Sequence, residues 1–516
     1  MLETRTSPTT RAAGDTIRAI APATGETIGE VPVMSADEVK AAVKKARSAQ
    51  KAWAVVSVEE RAERLLAFRD TIVDHADELV DLLSEETGKP KQEALAHELF
   101  TLVDSIGWTL KRAPSLLAPR ELDMHLMKHR RGIVERVPRG VVGIISPWNF
   151  PLVIPFNGAV TALVTGSAVV IKPSEETSLI ALRVKRLWDK SGLPEHLLQI
   201  VTGRGETGAA LIASGVDKIV FTGAVHTGRR VAAACGERLI PCTLELGGKA
   251  PLIACRDADV ERTAAAIAFG GFANSGQACI SVERVYAHRD VYDALVDGVT
   301  ERVKRLRQGD PASGSVDLGA LTFARQAEIA ERHVADALEK GAKLKLGGKR
   351  KPGPGCFFEP TVLAECTPEM SVMREEIFGP IVPFMSVESE EQAIELANDS
   401  PLGLNAYVFT RDREHGRRVA ERISAGSVVV NDVLSNYACA EAPFGGMRDS
   451  GHGRVHGDEG ILEMADVRHL NLERIRPPGR DPMGFPYSEK TFEFMLKMLK
   501  TLFTRKSVIG RLRSLL

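Results

Sequence analysis

From Ser35 to about Leu117 the apolar positions recur at intervals of three and four, the spacing of amphipathic helices. Ser35 followed by Glu38 has the form of a capping box ahead of Val39, Val43 and Ala46. The run Glu86-Thr87-Gly88-Lys89-Pro90 places Gly and then Pro where a helix should stop. Further on, the period changes. Short β-branched or apolar runs at residues 141–146, 168–171, 198–201, 218–221 and 243–246 alternate with mostly helical segments. This alternation predicts a parallel sheet with helices on both faces. Runs at 251–254, 282–288, 381–384, 406–409 and 427–430 predict a second α/β domain after Gly248. Residues 124–138 alternate polar and apolar around Arg130-Arg131-Gly132, as in a projecting hairpin with its turn there. Residues 467–475 alternate in the same way and read as a lone late strand that pairs with something distant. Near the end, Phe492, Met495, Leu496, Leu499, Leu502 and Phe503 fall on one helical face.

Length and composition narrow this picture. A chain of 516 residues has room for about three domains. Its 44% hydrophobic and 26% charged residues are those of a globular protein, and a net charge of -1 gives no basic excess for nucleic acid. Charge is nevertheless uneven: residues 487–516 carry seven positive and two negative groups, a net +5. The first fifteen residues lack the apolar core of a signal peptide and read as a flexible arm. No apolar run approaches the ~18 residues of a membrane span. Seven cysteines without a CxxC point to no disulfide framework and no metal, so a cytoplasmic location is expected.

Three short segments carry candidate chemistry. In Asn274-Ser275-Gly276-Gln277-Ala278-Cys279 a thiol follows a small, Gly-containing turn. A thiolate there would be a strong nucleophile, although a lone cysteine is more often an inert buried side chain. The other six cysteines have no such context and are read as inert. In Leu244-Glu245-Leu246-Gly247-Gly248 a carboxylate ends an apolar strand. Ligands gather at the carboxyl ends of parallel strands, so Glu245 reads either as a general base or as a solvated strand end. In Pro147-Trp148-Asn149-Phe150-Pro151 an uncharged amide sits between a strand and a helix, fit for an oxyanion hole or simply for a turn. Two glycine patterns compete for phosphate: Gly203-Arg204-Gly205-Glu206-Thr207-Gly208, which lacks a clear acidic partner about twenty residues on, and Phe221-Thr222-Gly223, which opens a helix.

Taken in order, these pieces resemble the aldehyde dehydrogenase superfamily from about Pro22 to Arg468. The matching motifs are PWNFP at 147–151, KPSE at 172–175, FTG at 221–223, LELGGK at 244–249, GQAC at 276–279, EEIFGP at 375–380 and PFGGMRDSGHGR at 443–454. The resemblance implies a Rossmann-like cofactor domain (16–122 and 142–247), an α/β catalytic domain (248–442) and a small β oligomerisation module (123–141 and 455–476), followed by the basic tail. It implies Cys279 as nucleophile, Glu245 as the base for deacylation and Asn149 in the oxyanion hole. For the cofactor it implies Ile145, Ser146, Trp148, Lys172, Glu175, Gly205, Gly223, Ala224, Gly228, Leu246, Glu376 and Phe378. Phe150, Ile154, Asn157, Ile280 and Phe444 would line a mostly apolar pocket, favouring an aliphatic or aromatic aldehyde. Ala224 departs from the FTGS that many members carry, so a hydroxyl able to cap the helix is missing.

The expected cofactor is NAD, with NADP tolerated, because Glu175 would accept a ribose hydroxyl and repel a 2′-phosphate. The expected assembly is a homodimer or homotetramer, with the late strand joining the partner's sheet. Two other readings stand beside hydrolytic oxidation: a CoA-acylating enzyme of the same fold, which would generally lack Glu245, and a non-catalytic scaffold. The basic, apolar tail adds a peripheral membrane contact at the inner face, as an alternative to a helix docked on the protein's own surface.

Overall fold

A computed structural model describes residues 15–314, 316–476 and 484–503. The arm before Asp15 and the basic residues Arg505, Lys506, Arg511 and Arg513 lie outside them. The chain forms two units: one runs up to Ala118 and resumes over Arg136–Asp466, and the other joins Pro119–Glu135 to Val467 and the residues after it.

The larger unit begins with an antiparallel pair that sequence patterning did not pick out, β1 (Thr16–Ile20) and β2 (Thr27–Pro32). Helices Ala36–Ala54, Val58–Asp74 and Ala76–Thr87 follow. The first opens on the expected capping box of Ser35 and Glu38, and the third ends at Gly88 in the left-handed conformation (φ 78°). β5 (Val141–Ile145), β6 (Ala168–Lys172), β7 (Leu198–Ile200), β8 (Lys218–Thr222) and β9 (Cys242–Glu245) form a parallel sheet, with the short strand β19 (Gly451–His452) antiparallel on β9. The order β19-β9-β8-β5-β6-β7 is that of a Rossmann-like sheet. The chain moves outward from β5 to β7 and returns on the far side as β8, which leaves a crevice at the carboxyl ends of β5 and β8. All five residues of β5 and of β6 are buried, as expected for strands covered on both faces.

A second sheet has the order β12-β13-β14-β11-β10-β16-β17. Its strands are β10 (Pro251–Ala254), β11 (Arg284–His288), β12 (Lys343–Leu346), β13 (Thr361–Ala364), β14 (Ile381–Val387), β16 (Asn405–Phe409) and β17 (Ser427–Val430), all parallel except β12. A small pair, β15 (Leu402–Gly403) and β18 (Met447–Arg448), stands beside it. The run expected over 282–288 is a strand only from Arg284. Val282 and Glu283 donate their N–H groups to Gly270 and Ala250 instead of to a sheet neighbour.

The smaller unit corrects the hairpin. β3 (Arg120–Leu122) pairs with β4 (Arg130–Pro138), so Arg130, Arg131 and Gly132 are strand residues and the turn lies before them. Gly132 faces Leu122, and a Cβ there would meet the Met124 sulfur at 2.7 Å and the His469 ring at 3.1 Å. The late strand β20 (Ala465–Glu473) is not alone. It pairs with β4 at the edge of a three-stranded sheet ordered β20-β4-β3. Arg130 donates to the side chain and carbonyl of Asn471, both at 2.8 Å, and Arg468 meets Glu135 at 2.8 Å. The tail helix spans Glu489–Leu502, and its apolar side chains are exposed, Phe492 at 66% and Leu499 at 56%.

Candidate active site

Cys279 is placed by a backbone that few sequences can adopt. Asn274, Ser275 and Gly276 have φ of 50°, 55° and 72°, three left-handed residues in succession. At Gly276 a side chain has no room, since a Cβ would lie 2.2 Å from the Gly379 carbonyl oxygen. Gly248 lets a second strand end approach: a Cβ there would lie 2.1 Å from the carbonyl oxygen of Cys279. The two glycine-containing motifs are thus the two walls that hold the cysteine backbone.

Asn149 is buried beside this turn. Its side-chain amide donates to the Gln277 carbonyl at 2.9 Å, and its own carbonyl accepts from Lys89 at 2.8 Å and from the Asn274 amide at 3.2 Å. Behind it, Lys89 and Glu98 form a fully buried ion pair at 2.6 Å. The second Glu98 oxygen accepts from the backbone N–H groups of Leu152 and Val153, at 2.8 and 3.1 Å. Lys89 also lies over the Phe150 ring, 4.3 Å from its centre. Sequence reading used Lys89 only as part of a helix stop. Nothing local marks it, because Glu98 and Asn149 are its partners only in space.

Two cavities meet at Cys279. The outer one is lined by His97, Phe150, Ile154, Ile280, Leu434 and Tyr437 among others, and the inner one by Asn157, Glu245, Leu246, Tyr437, Phe444 and His456. Ile154 borders both. All five residues expected in the pocket therefore line one cavity or the other. Tyr437 and His456 were not anticipated. His456 is buried, its φ is 60°, and neither ring nitrogen has a partner. Burial pushes its pKa down to about 4, so the ring is neutral at physiological pH.

Both oxygens of Glu245 are also buried without a partner. Burial raises its pKa well above the usual carboxylate range, opposed by the charge of Arg454. The Cys279 thiol is pushed up to about 12, first by burial and then by Glu376 and Glu245, while the N–H groups of Cys279 and Ile280 pull it down. Burial in a shared cavity thus favours the neutral form of both the carboxyl group and the thiol.

The second group of predicted residues gathers at the β5/β8 crevice. Ile145 ends β5, and the Ser146 hydroxyl that follows is buried with no partner. Lys172 ends β6 and reaches Glu175 at 3.1 Å. Gly205 opens the helix Gly205–Ala213, where the buried Thr207 hydroxyl is likewise unpartnered. Gly223 and Ala224 lead into the helix Val225–Gly236, and Ala224 caps it with no side-chain hydrogen bond, as expected for the missing serine. Gly228 lies against Leu246, where a Cβ would come within 2.4 Å. Just beyond the end of β5, Trp148 packs edge-on against Phe378 at 5.3 Å between ring centres. Glu376 accepts from the Gly248 N–H at 2.9 Å. Phe378 is held in a left-handed conformation (φ 53°) with its N–H bonded to Glu283 at 2.9 Å. Unpartnered buried hydroxyls, an uncapped helix start and a Lys–Glu pair at a topological switch point fit the phosphates and ribose of a dinucleotide.

Comparison with known proteins turns this arrangement into an assignment. Residues 9–470 match the model of the aldehyde dehydrogenase family. The chain belongs to that family. It is 36% identical over 502 residues to a 4,4'-diapolycopene aldehyde oxidase of Methylomonas sp, covering 96% of this chain and 93% of that one. It is 39% identical over 468 residues, 90% and 89% of the two chains, to a Mycobacterium ulcerans protein provisionally named an NADP(+) succinate-semialdehyde dehydrogenase. Among solved structures, an NAD-dependent aldehyde dehydrogenase from Sinorhizobium meliloti superposes with a TM-score of 0.87 at 34% identity, over 91% and 93% of the chains. The protein is an NAD(P)-dependent aldehyde dehydrogenase, and its two parallel sheets are those of the family fold.

Proposed function

We propose that this dehydrogenase converts an apolar aliphatic or aromatic aldehyde to the acid through a thioester on Cys279, which water activated by Glu245 then hydrolyses. The observation that carries this reading is the position of Cys279 where two cavities meet, one mostly apolar and the other holding an unpartnered carboxylate. The thiol gives up its proton to solvent and attacks the aldehyde carbon as the thiolate. The oxyanion that forms is stabilised by the Asn149 amide and the Cys279 backbone N–H. When bound, the nicotinamide supplies the hydride acceptor. Glu245 then takes a proton from water, which cleaves the thioester and releases the acid. A CoA-acylating enzyme would have no use for a base buried beside the thioester.

The lining supports the substrate class. Among the described residues no lysine or arginine borders either cavity, and burial, with the charge of Lys89, lowers His97 to about pKa 4. A dicarboxylic semialdehyde would bring a carboxylate into this lining with no cation to meet it. In the deciding experiment, a series of n-alkanals is assayed beside succinate semialdehyde. The expected result is a kcat/KM that rises with chain length and exceeds that for succinate semialdehyde at least about tenfold, the value of one or two buried methylenes. Equal or better use of succinate semialdehyde would overturn the substrate class.

For the cofactor, Lys172 and Glu175 would hold the adenosine ribose, and the start of Val225–Gly236 would face the pyrophosphate. Because Glu175 repels a 2′-phosphate, NAD is the preferred form. Glu175→Ser is expected to shift the kcat/KM ratio toward NADP by about tenfold, the effect of removing one nearby like charge of ~1.4 kcal/mol. An unchanged ratio would remove Glu175 from that role.

The remaining assignments rest on the same reading. The cofactor domain would comprise 16–122 and 142–247, the catalytic domain 248–442, and the three-stranded sheet would be the module through which two or four copies assemble. The exposed apolar face of Glu489–Leu502 and the basic residues around it favour a cytoplasmic enzyme that rests on anionic lipid, close to membrane-derived aldehydes. Full-length protein is expected to co-sediment with anionic vesicles at low salt and to be released at high salt, whereas a chain truncated after Pro486 stays in the supernatant. If both forms stay in the supernatant at low salt, the helix has no membrane role.

A further inference from the structure

A cluster far from this chemistry has the composition of a metal centre. A cleft at the carboxyl ends of β10, β11, β14 and β16 is bordered by Cys255, Asp257, His288, Glu390 and His415. These four strands are parallel neighbours. The chain runs from β10 to β11, on to the far edge at β12, back inward through β13 and β14, and then crosses to the other side of β10 as β16. A switch point therefore falls between β10 and β16, where open α/β sheets leave room for a ligand. Cys279 and Gly248 stand at the opposite, amino ends of β10 and β11, so this cleft is separate from the active site.

Three separate segments bring ligand atoms here. Cys255 directly follows β10, Glu390 opens the helix Glu390–Asn398, and His415 lies early in the helix Arg413–Ala420. The Cys255 sulfur, a Glu390 oxygen and a His415 ring nitrogen all lie within 4.8 Å of one another. His415 Nε2 is 2.5 Å from Glu390 Oε2. Its other nitrogen is 3.5 Å from the Thr410 hydroxyl. That hydroxyl donates its proton to Asp257, whose oxygens lie 2.8 and 3.0 Å away. His415 Nε2 and Glu390 Oε2 are themselves at hydrogen-bond distance. The buried Cys255 sulfur alongside supplies a third donor atom, so that an ion displacing the shared proton would meet three ligands from three segments. A hydroxyl and a carboxylate behind the imidazole also match the outer shell that orients ligating histidines. Arg422 lies 3.7 Å from Glu390 Oε1, and Oε2 is the oxygen that faces His415.

We propose that Cys255, Glu390 and His415 bind a zinc-class divalent ion that ties the end of β10 to the helices following β14 and β16. Sulfur, imidazole and carboxylate on one ion is a zinc or cobalt donor set rather than a magnesium or calcium one, and the thiol loses its proton on binding. Sequence reading gave no warning, since the three ligands are more than a hundred residues apart or sit in unremarkable helices, and Cys255 was read as inert.

The test uses full-length Cys279→Ala protein, so that the reactive thiol cannot bind the probe ion. After chelation and dialysis, Zn²⁺ is titrated by calorimetry and Co²⁺ by absorbance. The expected results are one equivalent bound, a thiolate-to-cobalt charge-transfer band, and a Tm that rises with Zn²⁺. Adding Cys255→Ser or His415→Ala should remove the band and the Tm response, while adding Cys242→Ser should leave both. Absence of the band in the parent, or its persistence in the Cys255→Ser protein, overturns the site and leaves an ion pair closed by a proton. The parent titration needs no substitution in the cleft, so a folding failure of either cleft variant does not protect the proposal.

Discussion

Cys279→Ala protein is expected to lose at least about a thousandfold in aldehyde-dependent NADH formation, since no other group at the cavity junction can form the thioester and only binding and the oxyanion hole remain. Glu245→Gln should behave differently. The first turnover survives as a burst of NADH equal to the active sites, and the steady-state rate falls by about 10²–10⁴, the usual worth of a positioned base. The pH dependence follows from burial, which raises the Glu245 pKa well above the carboxylate range. Only the deprotonated form takes a proton from water, so deacylation is lost as pH falls through that raised value and the steady-state rate climbs toward alkaline pH. Glu245→Gln should flatten that limb while the burst remains. Rapid-mixing fluorescence resolves both phases. A Cys279→Ala enzyme with wild-type turnover, or a Glu245→Gln enzyme without a burst, would refute the assignment.

Lys89→Met is expected to be the most damaging change outside the reacting groups. It leaves Glu98 as a buried, uncompensated charge and removes the donor to the Asn149 carbonyl. Breaking one side of a fully buried pair costs about 3–5 kcal/mol. Because Glu98 also holds the N–H groups of Leu152 and Val153, the loss should reach the oxyanion hole, lowering kcat more than it raises KM. Denaturant unfolding beside steady-state kinetics measures both effects. The double variant Lys89→Met/Glu98→Leu should recover most of the stability without recovering kcat, because the bond to Asn149 is still missing. If stability and kcat recover together, the pair has no positioning role.

How far the molecule could be read beforehand depended on whether information was local. Most strands of the two sheets announced themselves as short, largely apolar runs between helices, although β13 was not picked out. Cys279, Glu245 and Asn149 sit in contiguous motifs whose glycines have a local reason, the crowding around Gly248 and Gly276. The hairpin turn was misplaced because Gly132 looked like a turn glycine, whereas it is small to make room for Met124, just after β3, and for His469 on β20. β12 (KLKL) shows no buried face and gave little signal. Tyr437, His456 and the Lys89–Glu98 pair were illegible for one shared reason: their roles are defined by partners that only folding brings near. The tail's apolar stripe was correctly placed on a helix, but helical periodicity alone does not say what covers it.

The meeting of two cavities at Cys279 has a consequence for inhibitor design. On the proposed mechanism, an electrophile that enters from the outer side and acylates the sulfur would leave the inner chamber open to the water that Glu245 activates, so its adduct would be short-lived. A warhead carrying a small group directed inward, past Ile154 toward Glu245 and His456, would occupy the space the hydrolytic water needs. Residence time would then be set by the inward substituent and selectivity by the outward one. Two properties that are usually coupled in thiol-directed drugs become separate variables in this enzyme.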